Sequence, residues 1–186
     1  SVLLFSCNQK NSDSTSESTD SEKLPLPFFN SADFTPEWID EADPEYKNIH
    51  QIADFNLTNQ EGQIISNETF EDKIYVADFF FTYCAGICPK LTKHMHKVQE
   101  HFEDDPDVLL LSHTVMPATD SVSVLRDYAD QHQAIDGKWH FVTGSEEVIY
   151  DLARTSYFAD EDFQKTKDES AFVHTENFIL IDREGR

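Results

Sequence analysis

The stretch Lys73-Ile74-Tyr75-Val76-Ala77-Asp78-Phe79-Phe80-Phe81-Thr82-Tyr83-Cys84-Ala85-Gly86-Ile87-Cys88-Pro89 decides how this chain folds. Its first nine residues form an almost continuous apolar run, rich in aromatics. That is the pattern of a central strand covered on both faces. Pro89 favours the first turn of a helix, where its missing N–H costs nothing. Leu91, Met95, Val98 and Phe102 then recur at spacings of four, three and four, which predicts an amphipathic helix. The two cysteines sit at the corner between strand and helix.

Working outward, the same alternation continues. Val108-Leu109-Leu110-Leu111 reads as a second buried strand, and Val122, Leu125, Ala129 and His132 mark a second helix capped by Ser121 or Asp120. Trp139 to Val142 reads as a third strand, and Ser145 caps a helix carrying Val148, Ile149 and Leu152. Residues 156 to 176 show no periodicity, and Phe178-Ile179-Leu180-Ile181 reads as a last strand running into the turn Asp182-Arg183-Glu184-Gly185. Upstream, Phe55 and Leu57 alternate with polar residues, and Asn59-Gln60-Glu61-Gly62 supplies turn chemistry before Ile64 and Ile65, a β-hairpin. Strands alternating with helices predict an α/β domain over residues 51–186, with a mostly parallel sheet and helices on both faces.

The N-terminal part has a different composition. Between Asn11 and Glu22, seven of twelve residues are Ser or Thr, four are acidic and none is apolar. Such a segment cannot bury enough surface to offset its ordering entropy, so it reads as a flexible linker. Residues 23–50 carry short apolar clusters broken by prolines and are expected to lie extended across the domain surface. Ser1-Val2-Leu3-Leu4-Phe5-Ser6-Cys7, followed at once by polar residues, resembles the end of a bacterial lipoprotein signal, with Cys7 as the acylated residue. On that reading residues 1–50 are a signal remnant, a tether and an extended segment. The formal charge of −22 and a pI near 4.4 exclude a duplex-binding role, because phosphate neutralisation needs clustered Lys and Arg. Three cysteines cannot make a disulfide scaffold. An anchored Cys7 explains the odd one.

Cys84 and Cys88 carry the chemistry. Three intervening residues place the sulfurs one helical turn apart, roughly 6 Å between Cα atoms if the segment winds as a helix. That separation permits a disulfide or convergence on one metal ion. Cys88 lies at the helix start, where free N–H groups and the positive dipole end lower a thiol's pKa. Buried, inert cysteines are the bland alternative, but a glycine-bearing corner is a poor place for core filler. A structural zinc site needs further ligand pairs that the chain lacks. The pair is therefore redox-active, or it binds one metal with help from elsewhere.

Of eight histidines, His94, His96 and His101 fall on the first helix, and His50, His113, His132 and His140 have no distinguishing context. His174 ends the long irregular segment just before the last strand, and irregular segments of about 20 residues are often functional.

Phe79-Phe80-Phe81-Thr82-x-Cys84-x-x-x-Cys88-Pro89-x-Leu91 resembles the signature of the Sco/SenC proteins, thioredoxin-fold copper chaperones for cytochrome c oxidase assembly. The similarity runs from about Ile52 and takes in Trp139-x-Phe141-x-Thr143-Gly144-Ser145 and the His174 segment. It implies copper, as Cu(I) or Cu(II), on Cys84, Cys88 and His174. It also implies delivery to the binuclear copper site of oxidase subunit II, from a lipid-anchored position on the periplasmic side of a bacterial inner membrane. Val173 stands where the family often has Asp, so a supporting carboxylate must come from elsewhere, with Asp78, Asp168 and Glu169 as candidates. The resemblance further implies a strand and a C-terminal helix beyond the last turn. The alternative function is thiol–disulfide exchange, with Cys84 attacking and Cys88 resolving. A peroxidase built on Cys84 ranks last, since it gives His174 no role.

Overall fold

The computed structural model describes residues 25–168, 171–173 and 175–186. Six strands form one sheet in the order β2-β1-β5-β4-β3-β6. The aromatic run becomes β3 (Ile74–Phe80), flanked by β4 (Val108–Thr114), which pairs in turn with β5 (Trp139–Thr143), all parallel. Every residue of β4 and β5 is buried, as continuous apolar patterning requires of central strands. The predicted hairpin is β1 (Asn56–Asn59) and β2 (Ile64–Ser66), paired antiparallel, with Gly62 at φ +76° in its turn. Asn59 holds that turn by accepting from the N–H groups of Glu61 and Gln63 at 3.0 and 2.8 Å.

Alternate side chains of the central strands feed two cores. Tyr75, Ala77, Phe79, Leu109 and Leu111 face one way, towards Ile149 of α3 (Glu146–Asp151) and towards Leu152 and Ala153 just after it. Phe80, Leu110, Trp139 and Phe141 face the other way, towards Met95 of α1 (Cys88–His101) and Leu125, Tyr128 and Ala129 of α2 (Val122–Gln131). Helices thus cover both faces, as predicted. Ser121 is the cap of α2, accepting from the Val124 N–H, which leaves Asp120 for another task. Ser145 occupies the cap position of α3 but makes no side-chain bond there.

Two features differ from expectation. The sheet is parallel only at its centre, because β1 runs antiparallel to β5 and β6 (Ile179–Ile181) runs antiparallel to β3. The 157–178 segment returns the chain to the C-terminal end of β3 instead of its start, so Ile179 pairs with Ala77 and Ile181 with Tyr75. That segment is not wholly irregular either. A π-helical turn at Leu152–Ser156 continues α3, and a short helix α4 (Glu161–Thr166) follows. Asp160 caps α4 through the Phe163 N–H at 3.0 Å and also accepts from Arg154 Nε at 3.0 Å. A six-residue helix is too short for apolar periodicity to show.

Residues 25–50 lie on the domain with little regular structure. Phe28 and Glu37 form an isolated antiparallel bridge, and Pro44–Asn48 make a 3₁₀ turn. Arg186 lies over the rings of Phe28 and Tyr46 at 5.1 and 4.3 Å and donates to the Tyr46 hydroxyl. Among the described residues, no helix is long and apolar enough to cross a membrane.

Candidate functional site: a dithiol at the strand-to-helix corner

β3 ends at Phe80 and α1 begins at Cys88, so residues 81–87 form a corner at the C-terminal edge of the parallel strands. In open α/β sheets this edge is where ligands bind. Cys88 opens α1 with Pro89 behind it, is 5% exposed, and packs with Phe80, Met95 and Leu110. Cys84 is half-buried at the rim of the same cluster, and the two thiols are free and hydrogen-bonded to each other. Gly86 lies close over the Cys84 sulfur, where a Cβ would stand 3.8 Å from Sγ.

The two sulfurs have opposite electrostatics. Burial alone pushes the Cys84 thiol up, but the Cys88 thiol and the backbone N–H groups of Cys88, Gly86 and Ile87 all bond its sulfur and bring it below the ordinary value of 9.0. Cys88 is pushed up to about 12, chiefly by burial, then by its bond to Cys84 and by the nearby charges of Cys84 and Asp78. This corrects the expectation that the helix start would lower Cys88. The N–H groups of the corner and the helix start, those of Gly86, Ile87 and Cys88, favour the cysteine before the helix, while Cys88 itself is buried in the core.

Asp78 lies beneath the corner at 1% exposure, on the face of β3 that α1 covers. Ser112 donates to it and itself accepts from Trp139 Nε1 at 2.9 Å, and Oδ1 has no partner among the described residues. Burial pushes this carboxyl up to about 7, with the Ser112 bond pulling weakly the other way. The other supporting carboxylate candidate among the described residues, Asp168, follows α4 and is exposed.

The Asp78 shift fixes a sign. Its folded pKa of about 7 exceeds the reference 3.8, so between these values the folded protein keeps a proton that the unfolded chain has released. Stability from this group is complete below the lower value and is lost as pH rises through the upper one, on the order of 1.4 kcal/mol per pH unit between. Asp78→Asn carries no such proton. Its unfolding free energy relative to wild type should therefore improve steadily from pH 5 to 7 and level off above 8. The difference cancels His113 and His140, whose pKa values burial lowers to about 4 and whose contributions run the opposite way. Urea titrations at four pH values read it; a pH-independent difference would contradict a protonated Asp78.

His174, Cys7 and Glu169 lie outside the described residues. The neighbours of His174 are placed: Val173 is buried in the core against β3 and α3, and Thr175 is buried too. Phe172 packs edge-on against Phe81, with ring centroids 5.6 Å apart, three residues before Cys84. Among the remaining histidines, His113 Nε2 and His96 Nδ1 are buried with no hydrogen-bond partner among the described residues. His113 and His140 are core residues, and His50 bonds the Ser156 carbonyl at 2.8 Å.

A thioredoxin-like sheet with a dithiol at the strand-to-helix corner defines a class of thiol-bearing proteins, and the comparisons place this chain within it. The SCO1/SenC family model matches residues 43–186, and the chain belongs to that family. A curated relative, the SCO1 protein homolog of Bacillus subtilis, is 30% identical over 139 residues, covering 74% of this chain and 71% of its own. A SCO1/SenC family lipoprotein from Bacillus anthracis superposes with a TM-score of 0.61 at 29% identity, covering 73% of this chain and 80% of that one. BsSco, described with a disulfide switch and as a member of the Sco family of cytochrome c oxidase assembly proteins, gives 0.57 at 27%, covering 73% and 79%. Arabidopsis thaliana ScoI with copper bound gives 0.54 at 25%, covering 72% and 82%.

Proposed function

We propose that this protein is a copper chaperone that delivers copper to the binuclear copper site of cytochrome c oxidase subunit II, held at the periplasmic side of a bacterial inner membrane by a lipid on Cys7. The observation that carries the reading is the dithiol itself: two sulfurs in hydrogen-bond contact, one of them half-exposed and drawn towards thiolate by three backbone N–H groups. Soft thiolates select Cu(I), which accepts low-coordinate sites, and an imidazole completes a set that can also hold Cu(II) with one more donor. His174 is the proposed third ligand. Its neighbour Phe172 lies against Phe81, which supports placing that segment beside the cysteines. The copper-bound Arabidopsis relative and the oxidase-assembly description of BsSco support the cargo and its destination. The Bacillus anthracis lipoprotein supports the anchor.

A second reading is favoured by the unequal thiols. As a thiol–disulfide oxidoreductase, the Cys84 thiolate would attack a target disulfide, forming a mixed disulfide and releasing one target thiolate. Cys88, after losing its proton, would then attack the Cys84 sulfur and release the second. Two electrons pass to the target and the protein is left with a Cys84–Cys88 disulfide.

His174→Ala separates the readings. Copper binding needs the imidazole and dithiol exchange does not. The variant is expected to lose at least about tenfold in Cu(I) affinity, one ligand's share, while exchange with a model disulfide stays near wild type. An anaerobic competition titration measures the first. Unchanged affinity would remove His174 from the ligand set.

A further inference from the structure

We infer that Asp120 is the positioning residue of the dithiol corner. Its carboxylate is fully buried and accepts three hydrogen bonds. Oδ2 takes the Thr82 N–H at 3.1 Å and the Thr114 hydroxyl at 2.5 Å, and Oδ1 takes the Thr82 hydroxyl at 2.6 Å. Thr82 stands two residues before Cys84, and Thr114 ends β4. Among the described residues, the other backbone hydrogen bonds of residues 82–87 stay within the corner and the first turn of α1: Cys84 N–H to the Phe81 carbonyl, and the Ile87 carbonyl to Lys90 and Leu91. Among the described residues, Asp120 alone ties residues 82–87 by hydrogen bonds to another part of the fold.

The carboxylate is itself rigidly mounted. Its N–H bonds the Met116 carbonyl at 2.9 Å, in a turn that the Thr114 hydroxyl also braces through the Met116 N–H. Ser121, immediately after it, caps α2, which is anchored by fully buried Leu125. Charge-assisted bonds to such a mount are the strong kind. The consequence falls on Cys84, two residues on, whose N–H bonds the Phe81 carbonyl at 3.3 Å and whose sulfur lies 3.8 Å from where a Cβ on Gly86 would stand. Where Cys84 stands relative to Cys88 depends on how the chain enters the corner, and Asp120 holds that entry through Thr82. Closing a disulfide draws the Cys84 sulfur onto the buried Cys88 sulfur, a movement of the corner that the clamp resists, so without the clamp the Cys84–Cys88 pair becomes easier to oxidise.

The importance of the clamp rests on the dithiol being the working site, so the test uses no copper. The pair is equilibrated with dithiothreitol of varied redox ratio, and hydrogen–deuterium exchange is followed over residues 82–88. Asp120→Ala, and Thr82→Val if the first folds poorly, should shift the equilibrium about fivefold or more towards disulfide, the size of one lost hydrogen bond to a charge. Both should lose exchange protection in that segment. Thr114→Val removes a bond to the same carboxylate but leaves Thr82 held, and Thr82→Ser keeps both bonds. These two should stay within about twofold of wild type. An unchanged equilibrium in Thr82→Val, or an equal shift in Thr114→Val, would overturn the proposal and make Asp120 a general stabiliser. Failure of the wild type to bind Cu(I) would count against the proposed function and leave this result standing.

Discussion

Iodoacetamide at pH 7 should modify Cys84 of the reduced protein at least about tenfold faster than Cys88, because only thiolates react and the two thiols are shifted in opposite directions. Cys84 lies below 9.0 and Cys88 near 12, and exposure acts in the same direction, with Cys88 only 5% exposed. Low intrinsic nucleophilicity of a low-pKa thiolate trims the ratio without reversing it. Mass spectrometry of partially alkylated protein reads the two sites separately. Comparable rates would mean that the N–H groups of Gly86, Ile87 and Cys88 do not favour Cys84, and the directional exchange scheme would fail with them. The same experiment on Cys84→Ser should leave Cys88 slow, since the burial responsible for its high pKa is unaffected.

Arg154→Met should destabilise the protein by about 3–5 kcal/mol, the cost of leaving a buried charge without its partner. Arg154 is 7% exposed, and Asp160, which it bonds through Nε, is 1% exposed. The same guanidinium donates to the Ala171 carbonyl at 2.7 Å and lies over the Phe163 and Tyr150 rings at 4.6 and 5.1 Å. Its own carbonyl accepts from Gln164 at 2.9 Å. One side chain thus gathers the end of α3, the cap of α4 and the stretch leading to Val173. Urea unfolding should show the loss as a lower midpoint at constant slope. Adding Asp160→Asn, which removes the stranded charge but can still cap α4, should recover part of it. A loss under 1 kcal/mol would show that solvent reaches Asp160 when its partner is gone.

Sequence patterning revealed the parallel centre of the sheet and the three helices packed on it, because buried strands and amphipathic helices repeat over many residues, α3 doing so together with the π-helical turn that continues it. β6 and α4 were harder to read for opposite reasons. A three-residue strand shows its location but not its direction, which depends on where the preceding segment delivers it. A six-residue helix held by Arg154 and Asp160 owes its existence to a tertiary ion pair and has no periodic face. At the site, spacing and Pro89 located Cys88 at the helix start. Which sulfur the N–H groups serve could not be read from spacing, since it depends on the fold of Gly86 and Ile87. Asp120 was visible only as one of two possible helix caps. Its true partners, Thr82 and Thr114, are 38 and 6 residues away, and no local pattern joins them.

Gln60, the residue after β1, is 2% exposed and reaches across to β5, donating to the Trp139 carbonyl at 2.9 Å and accepting from the Phe141 N–H at 2.8 Å. β1 itself pairs with β5 only at Val142 and Thr143, so the rest of that strand's outer margin is occupied by a side-chain amide imitating a peptide. An added strand finds no free ladder there. Two paired residues of β1 and the Gln60 side chain therefore close a longer strand against self-association. The protection is cheap in chain length and specific in chemistry, for leucine at this position would fill the space and leave the margin open.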